Sequence, residues 1–226
     1  MKVGVVGGGI IGLATGKLIS EKGHQVSVFE KDTIGSHQSG NNSGVLHCGL
    51  HYKPGSLKAK LAVEGVRKMI EYCRVNDIDH DVCGKVVVAN SSEELSRLEK
   101  LALRGKKNGL KGLQYLNNAE LKKREPYARA IKALLVPEEG IVDYKKVLYS
   151  FKRDIEKHSG KVFEKSKVHG ISGIKRLALL SRPMRYWKQN IRHQIFIIGC
   201  GLHNLRVRFR SSAYARGAQA GARTFV

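Results

Sequence analysis

The chain has 226 residues, 42% of them hydrophobic, and a formal net charge of +22; that suits a globular protein with a real core and puts nucleic acid or an anionic surface among the candidate partners. All 19 acidic residues lie within 1–164, beside 28 lysines and arginines, whereas 165–226 holds 13 basic residues and no acid. Cys48, Cys73, Cys83 and Cys200 form no CxxC pair and no metal-ligand spacing, so a disulfide scaffold and a zinc site are excluded and reduced thiols are expected.

Lys2 to Val6, KVGVV, is a β-branched run suited to a buried parallel strand. Gly7, Gly9 and Gly12 then spell G-x-G-x-x-G and lead into an amphipathic segment from Ile10 to Glu21, with Ile11, Ala14, Leu18 and Ile19 on its expected apolar side. The run imitates a signal peptide, but its glycines follow a phosphate-loop pattern. A second strand, QVSVFE, ends at Glu30, 18 positions beyond Gly12. Gly7 permits a tight turn, Gly9 lets backbone N–H groups approach a pyrophosphate, and Gly12 allows close helix packing; Glu30 suits the ribose hydroxyls. An acid there disfavours a 2′-phosphate and leaves FAD or NAD.

An NAD domain usually continues with further βα units. Here a glycine-rich polar segment follows instead, HQSGNNSGVLHCGLHYKPGSLKAKL, from 37 to 61. Ser39, Asn41, Asn42 and Ser43, with Gly40 and Gly44 among them, can line an extended ligand with side-chain and backbone donors; a solvated turn is the plain alternative.

GGGIIG, FEKD, the 37–61 segment continuing to AVEG, CGKVVVA, LNNAELKKREP and VPEEGIVDYKKV together resemble the L-2-hydroxyglutarate oxidase/dehydrogenase family, one of the D-amino-acid-oxidase-like flavoproteins. These motifs run in order from Lys2 to about Gly170. The resemblance implies an α/β fold: a FAD-binding Rossmann-like domain with an interleaved, incomplete α+β substrate domain. It also implies FAD as cofactor and oxidation of L-2-hydroxyglutarate to 2-oxoglutarate by hydride transfer to flavin N5. Cofactor contacts are expected at Gly7, Gly9, Gly12, Glu30, Lys31, Ser39, Asn41, Asn42, Ser43 and Gly44. A related enzyme acting on glycerol 3-phosphate or an amino acid is the alternative within the class.

Oxidising a secondary alcohol needs a base for the hydroxyl proton, and a histidine near neutral pKa suits it. His47 lies in the family-like SGVLHCG run and is the expected catalytic base. His51 occupies a position where an aromatic residue is expected and is the weaker candidate. Cys48 stands where the family tends to have a small residue and reads as a packing variant. No metal is expected.

Ser56 is placed to cap a helix bearing Leu57, Leu61, Val66, Met69 and Ile70 on its apolar side, with Lys58 and Lys60 in solvent. Residues 83–90 read as a strand, and SSEELSRLEKLALRGKKNG as a helix with Ser91 and Glu94 in capping-box spacing, closed by Gly109. A short helix ends before Pro126. Asp143 caps a helix through about His158, and GKVFE resumes strand character. The FAD domain is expected at 1–80 and 140–205, the first part of the substrate domain at 81–139, and a basic tail at 206–226.

From about Ile174 the resemblance lapses, returning briefly at IFIIGCGLHN. Missing acids and a change from lysine to arginine read as a truncated, frameshifted continuation, expected to leave this polypeptide inactive. A basic tail binding nucleic acid or an anionic surface is the reading from another class; the flavoprotein reading expects no nucleic acid. The expected partners are a small dicarboxylate hydroxy acid and oxygen or a quinone as electron acceptor. The expected location is the cytoplasm, with a peripheral contact at the inner membrane.

Overall fold

The computed structural model describes residues 1–168, 178–179 and 196–200. The tail at 206–226 and most of the stretch after Ile174 lie outside the described residues. Two compact units divide the chain: Met1–Ser36 with the described residues from Phe151 onward, and His37–Ser150. These divisions fall at other positions than the expected domain limits, so which segments serve the cofactor belongs to the functional proposal below.

In the first unit, β1 (Lys2–Val6), α1 (Ile10–Glu21) and β2 (Gln25–Phe29) follow as the residue pattern predicts. The strands β1 and β2 are parallel, with Val3 opposite Val26 and Val5 opposite Val28. Val5, Leu13, Val26 and Val28 are fully out of water, each burial contributing roughly 1.5–3 kcal/mol. The helix face differs from the expectation: Ile11 and Leu18 are exposed, and the buried positions are Gly12, Leu13, Gly16 and Ser20. Small residues face the sheet because the helix sits close on it. A Cβ at Gly16 would stand 3.1 Å from Ile155 Cδ1 and 3.2 Å from Val28 Cγ2.

The second unit begins with β3 (Val45–Leu46) and α2 (Leu57–Val75), followed by β4 (His80–Asp81), β5 (Lys85–Ala89) and α3 (Ser92–Lys107). Next come β6 (Gln114–Leu116), α4 (Asn118–Arg124), β7 (Lys132–Val136) and β8 (Gly140–Val142). Two antiparallel sheets form, ordered β3-β8-β4 and β5-β7-β6. The expected caps form: the Ser56 hydroxyl accepts from Ala59 N–H, the Ser91 hydroxyl from Glu94 N–H, and Gly109 takes φ +81° past α3. The apolar side of α2 is corrected: Ala59, Val63, Val66 and Cys73 are buried, while Leu57 and Leu61 are 70% and 57% exposed.

Helix α5 (Tyr144–Lys157) starts where Asp143 accepts from the N–H groups of Lys145 and Lys146. It leads back to the first unit, where β9 (Lys161–Phe163) pairs parallel with β2. The order β9-β2-β1 is one half of a doubly wound sheet. The short strands β10 (Ala178–Leu179) and β11 (Phe196–Cys200) extend it, and β11 runs antiparallel to β1.

Candidate functional site

The expected site residues fall in both units. In the first, the turn after β1 is shaped by its glycines. Gly7 takes φ +106° and its N–H donates to Phe29 O at 2.8 Å. A Cβ on Gly12 would stand 1.9 Å from the Gly7 carbonyl oxygen, so no side chain fits there. Gly9 is the N-cap of α1 and offers no side-chain cap; the first turn carries no acid. The donors and dipole of that helix start are matched to a pyrophosphate.

Glu30 follows β2 at the carboxyl edge of the sheet, where doubly wound folds take their ligands. It is buried, and two backbone donors hold it: Gly8 N–H on Oε2 at 2.7 Å and Asp32 N–H on Oε1 at 3.0 Å. A carboxylate has about four acceptor positions, so the same group can accept from a ribose diol. Lys31 is exposed and forms an ion pair with Asp32 at 3.5 Å.

In the second unit, the segment before β3 is an organised turn. The N–H groups of Gly40 and Asn41 both donate to His37 O at 3.0 Å. The Asn42 amide donates to Ser39 O at 2.9 Å, and its Oδ1 accepts from Gly44 N–H at 2.8 Å. Asn42 therefore shapes the loop with its side chain. Ser39, Asn41, Ser43 and Gly44 lie on the same turn. Gly44 takes φ +72°, and its carbonyl accepts from Val142 N–H at 2.8 Å, tying the turn to β8.

His47 comes directly after β3 with its side chain 61% exposed. Its Nδ1 lies 3.7 Å from Oε2 of Glu139, a carboxylate only 2% exposed. Lys85, the first residue of β5, places Nζ 2.6 Å from the same oxygen. On the other side, Cys48 Sγ donates to Glu139 Oε1 at 3.4 Å. Burial, then the neighbouring carboxylate, pushes the Cys48 thiol up to about 12, so it stays protonated as a donor and is no nucleophile at neutral pH. His51 is exposed as a whole residue, yet partial desolvation of its ring, and then the Lys85 cation, hold its pKa below the ordinary histidine value.

Residue-by-residue reading of the sequence missed Glu139 and Lys85. The available signal was the pair of acids in VPEEGIVD, ahead of the apolar strand β8.

The sequence pattern of the DAO family, FAD dependent oxidoreductases, matches residues 2–213. The chain belongs to this FAD dependent oxidoreductase family. Within it, the chain is similar to the mitochondrial L-2-hydroxyglutarate dehydrogenase of Mus musculus, 43% identical over 169 residues that make up 74% of this chain and 36% of that protein. The chain thus spans little more than a third of the length of that curated relative. Among solved structures it resembles glycine oxidase from Geobacillus kaustophilus, with TM-score 0.69 and 24% identity over 76% of this chain and 49% of that one. It also resembles L-alpha-glycerophosphate oxidase from Mycoplasma pneumoniae with FAD bound, with TM-score 0.67 and 25% identity over 76% and 47% of the two chains. These likenesses agree with the expected flavoprotein fold. No helix among the described residues is long and apolar enough to cross a membrane.

Proposed function

We propose that this chain serves the oxidation of L-2-hydroxyglutarate to 2-oxoglutarate with FAD as cofactor. The observation that carries the reading is its 43% identity to an L-2-hydroxyglutarate dehydrogenase. Gly7, Gly9, Gly12 and the start of α1 would hold the pyrophosphate, and Glu30 the ribose. Lys31, Ser39, Asn41, Asn42, Ser43 and Gly44 would supply further cofactor contacts, Asn42 by shaping the turn. FAD, when bound, would supply the hydride acceptor, flavin N5. His47 takes the hydroxyl proton on an imidazole nitrogen as the C–O bond becomes a carbonyl. Oxygen or a membrane quinone as acceptor, and a cytoplasmic location with peripheral membrane contact, belong to the same proposal.

The test is anaerobic mixing of the purified full chain, loaded with FAD, with L-2-hydroxyglutarate. Loss of the oxidised-flavin absorbance with formation of 2-oxoglutarate would show that the chain keeps the inherited activity; bound flavin left unreduced would bear out the sequence expectation that the altered continuation leaves this polypeptide inactive. Exchanging His47 for Gln should slow that reduction by about 10²–10⁴-fold with flavin binding retained. Reduction by glycerol 3-phosphate or an amino acid alone would assign the other substrate class. A chain that binds no flavin and reduces none would overturn the reading for this polypeptide.

A further inference from the structure

Glu139 is a carboxylate almost wholly removed from water, and such a group is costly unless it is partnered. Its Oε1 is met by the Cys48 thiol. Its Oε2 is met by Lys85 Nζ at 2.6 Å, yet that oxygen accepts no well-aligned hydrogen bond among the described residues. The two facts are compatible. The ammonium neutralises the carboxylate by proximity, and a carboxylate oxygen has two lone pairs, so Oε2 can accept from a further donor.

Nδ1 of His47 also lies beside Oε2, at 3.7 Å. This is too long for a hydrogen bond but within reach of a small rotation of an exposed imidazole, and catalytic hydrogen bonds often tighten only when substrate is bound. The carboxylate itself is held firmly. The Glu139 carbonyl accepts from Gly84 N–H at 2.8 Å, and Glu139 N–H donates to Val136 O at 3.4 Å. The next residue, Gly140, is packed so tightly that a Cβ there would stand 3.0 Å from Val82 Cα. His51 also senses Glu139 and Lys85, and the Arg104 guanidinium donates to His51 O at 3.0 Å.

Resting on the proposed oxidation, we propose that Glu139, steadied by Lys85 and Cys48, is a positioning residue that holds His47 as its Nδ1–H tautomer and so leaves Nε2 to receive the substrate hydroxyl proton. A neutral imidazole carries one N–H, and the acceptor at one nitrogen decides which. With Nδ1–H donated to Glu139, the lone pair sits on Nε2. The substrate hydroxyl would lose its proton to Nε2, leaving an imidazolium beside Glu139, and the hydrogen of the C–H bond would leave as hydride with both bond electrons to the oxidised flavin, so the carbonyl forms with charge and electrons balanced.

The experiment is nitrogen-15 NMR of the full chain labelled at histidine, recorded where His47 is neutral, with the His47→Gln spectrum assigning the signal. Wild-type His47 is expected as the Nδ1–H tautomer, shifting to mainly Nε2–H in Glu139→Leu and partly so in the near-isosteric Glu139→Gln. A wild-type His47 already in the Nε2–H form overturns the proposal whether or not the variants fold. So does an unchanged tautomer in folded Glu139→Leu, which has no acceptor for Nδ1–H. The outcome separates from that of the oxidase reading. Flavin reduction by L-2-hydroxyglutarate with Nε2–H in the wild type sinks only the positioning role; Nδ1–H without flavin reduction sinks only the oxidase reading.

Discussion

At Gly12 the requirement for glycine is steric in the plainest sense, since a Cβ would enter the van der Waals shell of the Gly7 carbonyl. Gly12→Ala must push α1 away from the turn. The expected cost is about 1–3 kcal/mol, read in a thermal melt, together with loss of bound flavin absorbance. The cysteines make a second residue-level case. Cys83 is exposed, whereas Cys48 and Cys73 are buried, with burial pushing their thiols up to about 12 and about 11. Brief iodoacetamide treatment at neutral pH, followed by peptide mapping, should alkylate Cys83 and spare Cys48 and Cys73. Labelling of Cys48 at a similar rate would contradict its place beneath Glu139.

Among the elements, helix starts carry the most readable chemistry. Helix α4 begins with a full capping box, Asn117 accepting from Glu120 N–H while Glu120 accepts from Asn117 N–H. It buries Leu121 against Leu116, Ala133 and Leu135. Asn117→Ala removes one side of that exchange and should cost about 0.5–2 kcal/mol in urea unfolding, with the urea dependence of stability unchanged. Ser56→Ala at the start of α2 should cost a similar amount. The apolar faces were harder to read than the caps. On α1 the buried face is Leu13 among glycines and a serine, and on α2 it begins at Ala59. Periodicity weights large apolar side chains, but close approach selects small ones.

For the whole molecule, the discontinuous first unit is closed by residues far apart in the chain. Glu164 accepts from Ile34 N–H at 3.2 Å and from Lys152 Nζ at 2.8 Å, and Phe29 stacks on Phe163 with centroids 5.2 Å apart. Burial raises the Glu164 pKa, but Lys152 and the Ile34 amide outweigh it and hold the carboxyl below its ordinary value. A carboxyl depressed in the folded state adds stability above its unfolded pKa, and that stability is lost as pH falls through the folded pKa. Thermal melts from neutral to acid pH should therefore show Glu164→Gln less stable than wild type at neutral pH, the difference closing below the ordinary glutamate range. A gap that persisted in acid would mean that shape, rather than charge, closes the unit.

Strand, turn, helix and terminal acid were legible from the residues because each is decided locally: β-branched runs extend, glycine alone accepts the Gly7 turn, and Ser56, Ser91 and Asp143 cap the helices they precede. The polar segment at 37–61 likewise marked the lineage and offered His47 as its base. The local code does not hold what His47 rests on. Glu139 lies 92 positions away and Lys85 38, and nothing in spacing or composition joins them. Antiparallel pairing of β3 with β8 carries Glu139, at the edge of β8, to the end of β3. Burial there makes a partner necessary, and only the folded chain could supply Lys85.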